Sequence, residues 1–263
     1  MSKDRILVFI PTYNCERQIS RVLNRFQESD LPLFTEILVV DNRSTDKTLK
    51  VATDALQKMT GLKTKLVQND TNVNLGGSHK VAFEYSFKNE FDYCLVLHGD
   101  DQADINDIVP LIREGKHREY DSFLGGRFSL GSKLEGYSGF RIFGNHVLNA
   151  LCSFIGGRKV EDMGSGINIY KTNYLKDPFY LHFPDNLTFN VYTLFYGIWK
   201  KSKFGFFPIH WREEDQISNA KVFRQTFIIL GFLLSYIFKA ASIFALPDPS
   251  LAGKHTSKVI YES

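Results

Sequence analysis

A chain of 263 residues with 43% hydrophobic and 23% charged residues can fold around a full core, which excludes a disordered or fibrous protein. Its net charge of +3 is too small, and its Lys and Arg too scattered, for a nucleic-acid-binding surface. Cys15, Cys94 and Cys152 are odd in number and far apart, which excludes a disulfide framework or zinc cluster and points to a reducing compartment.

The opening MSKDRILVFIPTYN holds too short an apolar run for a secretory signal and reads as a first strand, Ile6 to Ile10. Further β-rich runs stand at Glu36 to Val40, Thr64 to Val67, Tyr93 to Leu97 and Ser122 to Gly125. Between them, Asp46 to Met59 places Leu49, Ala52, Leu56 and Met59 at helical spacing, with Ser44 or Asp46 as cap. Gly77 to Phe87 and Ile105 to Arg113 also suit helices. Strands and helices in alternation predict an α/β fold, a mainly parallel sheet flanked by helices, with ligands outside the carboxyl ends of the strands. Polar clusters fall at those ends: Pro11-Thr12-Tyr13-Asn14, Asp41-Asn42, His98 to Gln102, and Arg127.

In the second half, Gly139 to Phe154 and Phe189 to Lys200 read as helices, and Gly166 to Tyr170 and Phe204 to His210 as strands. Thr226 to Leu246 is apolar around the whole helical wheel except at Lys239. Such a helix is buried, bound to a partner or associated with a membrane. Pro247 and Pro249 end it, and a flexible tail is expected to follow.

The residues at the strand ends narrow the chemistry. PTYN stands where a dinucleotide site needs a glycine-rich turn, and there is no Walker A loop. The acids of LVLHGDDQAD offer hard oxygen ligands, suited to Mg²⁺ or Mn²⁺ bridging phosphates.

Taken in order, these motifs resemble those of the family 2 glycosyltransferases with the GT-A fold. Within them the chain is similar to the branch that holds dolichyl-phosphate mannose synthase and the bacterial polyprenyl-phosphate glycosyltransferases. PTYNCERQI, VVDNRSTDKT, NVNLGGSHKVAF, LVLHGDDQAD, GGRF with GFRIFGN, EDMGSG and REEDQISNAK carry the resemblance across roughly residues 5 to 225. The chain departs from the family pattern at Asn42 (usually Asp), at His98 (usually the first metal-motif Asp) and at Asn145 (usually Ser).

The resemblance implies a Rossmann-like GT-A domain over 1–222, an apolar membrane-associating or interface helix over 223–247, and the flexible tail over 248–263. It implies an inverting, metal-dependent transfer of a sugar from a UDP- or GDP-linked donor to a polyprenyl phosphate, at the cytoplasmic face of a membrane. Pro11, Tyr13, Glu16, Asp41, Gly76 and Lys80 would bind the donor nucleotide, and Asp100, Gln102 and His98 would bind Mg²⁺ or Mn²⁺. Arg127 and Arg141 would receive the acceptor phosphate, and Arg212 and Lys221 would close over the leaving diphosphate. A phosphate acceptor is already anionic and needs no base, whereas a hydroxyl acceptor would make Asp162 the candidate base. The alternatives are a transferase acting on a glycan hydroxyl in surface polysaccharide synthesis, and an inactive GT-A domain that only binds a nucleotide. No nucleic-acid partner is expected, and a homodimer is possible through the apolar helix.

Overall fold

The computed structural model describes residues 3–215, 222–244 and 253–263. The first half runs β1 (Ile6–Thr12), α1 (Ile19–Asn24), β2 (Glu36–Asp41), α2 (Thr48–Leu56), β3 (Lys63–Asn69), α3 (Asn74–Lys88), β4 (Tyr93–Leu97), α4 (Val109–Arg113) and β5 (Ser122–Gly126). Then come β6 (Lys133–Glu135), α5 (Gly139–Gly156), β7 (Ile167–Lys171), α6 (Thr172–Leu175), α7 (Phe189–Trp199), β8 (Phe204–Pro208), β9 (His210–Arg212), α8 (Val222–Ile243) and β10 (Ser257–Glu262).

Eight strands form one sheet in the order β10-β3-β2-β1-β4-β7-β5-β8, and β6 pairs with β9 beside it. Strands β1 to β4 are mutually parallel, while β7 runs antiparallel between β4 and β5. This is the α/β architecture the alternation predicts, with helices on both faces. Every residue of β1 and β2 is buried, because strands covered on both faces must be apolar on both. Leu7 and Phe9 enter the core shared with α3, α7 and α8, while Ile6, Val8 and Ile10 enter the one shared with α1, α2 and α4. The register sets Thr12 opposite Asp41 and Asp41 opposite Gln68, so the polar strand ends stand level.

The segment Ile105 to Arg113 breaks into a 3₁₀ turn over Ile105–Asp107 and α4. Pro110 at the start of α4 has no N–H to give to the preceding turn. Helix α8 anchors one face on α7, with Phe232 against Tyr192 (4.3 Å) and Phe195 (5.2 Å). It kinks at Lys239, whose φ of −139° is not helical.

The tail corrects the expectation of flexibility. Ser257–Glu262 forms β10, antiparallel to β3, and closes an edge of the sheet that would otherwise offer unpaired backbone groups. The Ser263 N–H also donates to Thr64 O at 3.0 Å. A chain ended at residue 252 is expected to melt several degrees lower and to aggregate through the bared β3 edge. Five cross-strand pairs at a few tenths of a kcal/mol each give a loss on the order of 2 kcal/mol. Calorimetry with light scattering checks this, and an unchanged melting temperature would refute it.

Candidate active site

The cluster opens at the carboxyl ends of β1, β2 and β4, where backbone strain collects. Asn14, Arg43 and Asp101 follow these strands with φ of 51°, 66° and 62°, a left-handed region that costs side-chain-bearing residues about 1 kcal/mol. The loops are tied to one another. Asn14 Oδ1 accepts from Thr45 N–H at 2.8 Å, and Gly99 N–H donates to Pro11 O at 3.1 Å. A Cβ on Gly99 would lie 2.6 Å from Thr12 Cγ2, so only glycine lets β4's loop approach β1 this closely.

On the expected donor side, Pro11 and Asp41 come together. Asp41 is buried; its Oδ2 accepts from Ser44 N–H (3.1 Å) and Gln68 Nε2 (2.9 Å), while Oδ1 has no partner. An orphaned carboxylate oxygen at a strand end is an open acceptor for a base N–H or a ribose hydroxyl. Tyr13, just past the end of β1, is exposed. Glu16 Oε2 accepts from Lys47 N–H at 2.9 Å and so fastens the start of α2. The departure at Asn42 has a structural reason. Its Oδ1 accepts from Asn69 Nδ2 and Val73 N–H, and its Nδ2 donates to Asn72 Oδ1 at 2.9 Å, a donation that aspartate cannot make.

Gly76 and Lys80 are drawn elsewhere. Lys80 Nζ donates to Phe183 O (2.6 Å) and to Asp185 (2.8 Å). A Cβ on Gly76 would lie 2.6 Å from Pro184 O. Both residues dock α3 against the 183–185 segment, and none of these contacts faces Asp41.

The acids after β4 divide by role. Asp101 pairs with Arg21 (2.8 Å) and Arg25 (2.8 Å), and Asp104 pairs with Arg25 (2.7 Å) while capping the 3₁₀ turn through Asn106 N–H. Asp100 has no basic partner among the described ion pairs. Burial, with Glu213's charge adding to it, pushes its carboxyl up to about 6. Burial and the Asp100 charge also push the Cys15 thiol up to about 12, which rules it out as a nucleophile. A half-buried carboxylate with an acidic neighbour and no recorded basic partner gains from a cation, so Asp100 fits Mg²⁺ or Mn²⁺. Gln102 lies beside it, its N–H donating to Asp100 Oδ1 at 3.3 Å.

His98 fits less simply. Its ring packs edge-on toward His79 (6.2 Å between centroids), and its Nε2 is buried without a partner. Burial lowers its imidazole to about 4, so it stays neutral, as a metal ligand must. Among the described residues no three His, Cys, Asp or Glu side chains converge as a complete metal site. Asp100 and Gln102 would supply only part of a cation's oxygen shell, leaving positions open to other ligands.

On the expected acceptor side, Arg127 and Arg141 flank one ring. Their guanidinium carbons lie 5.8 Å and 4.3 Å from the Tyr137 centroid, and the Tyr137 hydroxyl accepts from Arg127 Nη1 and Asn145 Nδ2. Asp162 holds Arg127 by a two-pronged bond, 2.7 Å at each prong, and also accepts from Arg127 N–H and Gly164 N–H. Burial works against the Arg127 charge, but Asp162 more than offsets it and raises the guanidinium above its ordinary range. Asp162, the candidate base, thus accepts four hydrogen bonds, two on each carboxylate oxygen. Arg141 pairs with Glu213. Arg212 donates its backbone N–H to Gln102 O (3.0 Å) and leans toward Asp104 (3.5 Å). Lys221 lies outside the described residues.

Sequence reasoning missed Tyr137, Glu213, Arg21 and Arg25. Only the two arginines carried a signal, since Arg21 on α1 and Arg25 at its C-cap lie four apart, on one side of the helix end.

The description "Glycosyl transferase family 2" matches residues 7–179. The chain is similar to the UDP-N-acetylglucosamine--dolichyl-phosphate N-acetylglucosaminyltransferase of Methanococcus voltae, at 22% identity over 67% of this chain and 73% of that protein. It is similar to glycosyltransferase AglJ of Haloferax volcanii at 26% identity over 64% of this chain, though that match spans only 50% of the relative's length. The fold is like that of a mannosyltransferase from Pyrobaculum calidifontis solved with GDP-Man and Mn²⁺, with TM-score 0.60, 16% identity and coverage of 95% and 67%. With a family match over most of its length and the GT-A arrangement of strand-end residues, the chain belongs to glycosyl transferase family 2.

Proposed function

We propose that this chain transfers a sugar from a nucleoside diphosphate donor to a polyprenyl phosphate at the cytoplasmic surface of a membrane. The observation that carries the acceptor is the setting of its two arginines. Arg141 lies in the first turn of α5, Arg127 flanks the same Tyr137 ring, and α5 then exposes an uncharged apolar stripe. Phe140 is 71% and Phe154 85% exposed, with Phe143 and Val147 between them. A phosphate held at one end of such a stripe leaves its isoprenoid chain beside a matching surface. Helix α8 adds a second face: its anchored side packs on α7, while Phe227, Leu234 and Phe238 (76%) point outward. A helix with one face on the domain and a kink at Lys239 suits lying in the headgroup layer better than crossing the bilayer. The name of the Methanococcus voltae relative, with its dolichyl-phosphate acceptor, supports the same substrate class.

In this reading Asp41 and Pro11 hold the nucleoside, and Asp100 and Gln102 hold the diphosphate through Mg²⁺ or Mn²⁺. The Pyrobaculum calidifontis complex with GDP-Man and Mn²⁺ supports that cofactor class. When bound, the cation neutralises charge growing on the departing diphosphate. Arg127 and Arg141 orient an acceptor oxygen for in-line attack at the anomeric carbon, with inversion. The four hydrogen bonds that engage Asp162 weigh against a hydroxyl acceptor, which would need it as a base.

The test pairs nucleotide sugars and Mn²⁺ with polyprenyl phosphate or free glycans, alongside liposome flotation. Transfer to polyprenyl phosphate, abolished by chelator, is expected. Phe143→Glu with Phe238→Glu should cut flotation at least tenfold, since a charged residue in the apolar layer costs about 2 kcal/mol or more. A chain that never floats, or that glycosylates only glycans, overturns the reading. If it stays in solution as a dimer, the α8 face belongs to a second copy.

A further inference from the structure

Both acceptor arginines are already engaged, but unequally. Arg127 gives two prongs to Asp162 in a sealed pair, with side chains 11% and 1% exposed. Arg141 gives one prong to Glu213 in a more open pair, at 28% and 18%. Glu213 also looks the other way. While its Oε2 accepts from Arg141, its Oε1 takes a long contact, 3.5 Å, from Gln102 Nε2. Gln102 in turn donates its backbone N–H to Asp100. One carboxylate therefore stands between the cation motif and the acceptor arginine.

Its backbone is held on both flanks. Arg212 N–H donates to Gln102 O at 3.0 Å, and Glu213 N–H donates to Glu135 O at 2.9 Å. The freedom lies in the Glu213 side chain. Meanwhile the cation motif lacks a second free carboxylate, because position 98 carries an imidazole and Asp101 is held by Arg21 and Arg25.

We propose that Glu213 changes partners during the reaction: with donor and cation bound it leaves Arg141, becomes the second carboxylate ligand beside Asp100, and frees Arg141 for the acceptor phosphate. This rests on the reading of the site given above and adds an order to it, donor before acceptor. A dication between Asp100 and Glu213 relieves their mutual repulsion and outcompetes a partly exposed, single-pronged arginine pair. Asp162 cannot behave this way, since four donors hold it.

The experiment uses the full chain and Glu213→Gln, which keeps the side chain's shape and removes its charge. Titration calorimetry measures Mn²⁺ binding at saturating UDP, and then farnesyl phosphate binding with and without UDP and Mn²⁺. The variant is expected to lose roughly 10- to 100-fold in Mn²⁺ affinity. In the parent chain UDP with Mn²⁺ should strengthen farnesyl phosphate binding, whereas the variant should bind it tightly with or without them. Unchanged Mn²⁺ affinity in the variant overturns the inference, as does equal dependence of farnesyl phosphate binding on UDP and Mn²⁺ in both chains. If the parent chain never binds farnesyl phosphate, the acceptor reading fails and the proposed coupling falls with it. If it binds while the Mn²⁺ affinities match, that reading stands and only the exchange at Glu213 is lost.

Discussion

Asp100→Ala is expected to slow sugar transfer by roughly 10²- to 10³-fold without lowering the melting temperature. The magnitude is that of removing one preorganised electrostatic group from a developing charge. The thermal side follows from its surroundings. Asp100 is half-buried, has no basic partner among the described ion pairs, and its carboxyl is pushed upward by desolvation and by Glu213. Deleting an uncompensated half-buried charge removes a cost rather than a support. Asp101→Ala should do the reverse. It takes from Arg21 and Arg25 the buried carboxylate that both hold at 2.8 Å, leaving them Asp215 and Asp104 alone, and so lowers the melting temperature while sparing more of the rate. Differential scanning fluorimetry and a donor-consumption assay on the two variants separate these outcomes. Transfer by Asp100→Ala that persists undiminished in chelator would remove the cation from the proposed reaction. A melting loss in Asp100→Ala as large as that in Asp101→Ala would make both acids structural.

That contrast also marks how far a sequence can be read. The acids of LVLHGDDQAD look like one unit in the chain, because spacing shows where residues stand and not which way they turn. Their location was legible. Strands β1, β2 and β4 are buried on both faces, so each reads as an unbroken apolar run, and whatever polar residue ends the run must stand at the sheet's mouth. Pro11, Asp41 and Asp100 follow from that logic. Their division of labour does not, because it depends on Arg21 and Arg25 reaching across from α1, about 80 residues away in the chain.

Glu213 is hidden for another reason. It is placed by the pairing of β9 with β6, two three-residue strands too short to leave a periodic signal. The tail strand is set wholly by tertiary context, the open edge of β3. Lys80 and Gly76 show the opposite case. A glycine-bearing stretch after β3 invites assignment to a ligand, yet its close approach is to the backbone of Pro184. The apolar wheel of α8 was visible but ambiguous, and the Phe232 contacts assign one face to α7 and leave the other outward.

The second large effect belongs to the pair Arg127 and Asp162. Asp162→Asn is expected to destabilise the fold by about 3–5 kcal/mol, the usual result of leaving a buried charge without its partner. For a domain of this size that lowers melting on the order of 10 °C. An amide offers one acceptor oxygen where the carboxylate spreads four hydrogen bonds over two. The unpaired Arg127 would then swing from Tyr137 and Trp211, over whose rings it now lies. Acceptor affinity should fall with it, while nucleotide binding is retained if it occurs at the proposed Asp41 site, tens of residues away in the chain. Arg127→Gln with Asp162→Asn should recover part of the lost stability, because no charge is then left alone, but none of the lost transfer. A general base would behave otherwise. Asp162→Asn would melt like the parent chain, bind acceptor normally and fail only in the chemical step, with its rate loss confined to hydroxyl acceptors. Melting curves, acceptor binding and single-turnover rates on the two single variants and the double variant distinguish a residue that positions an arginine from one that takes a proton.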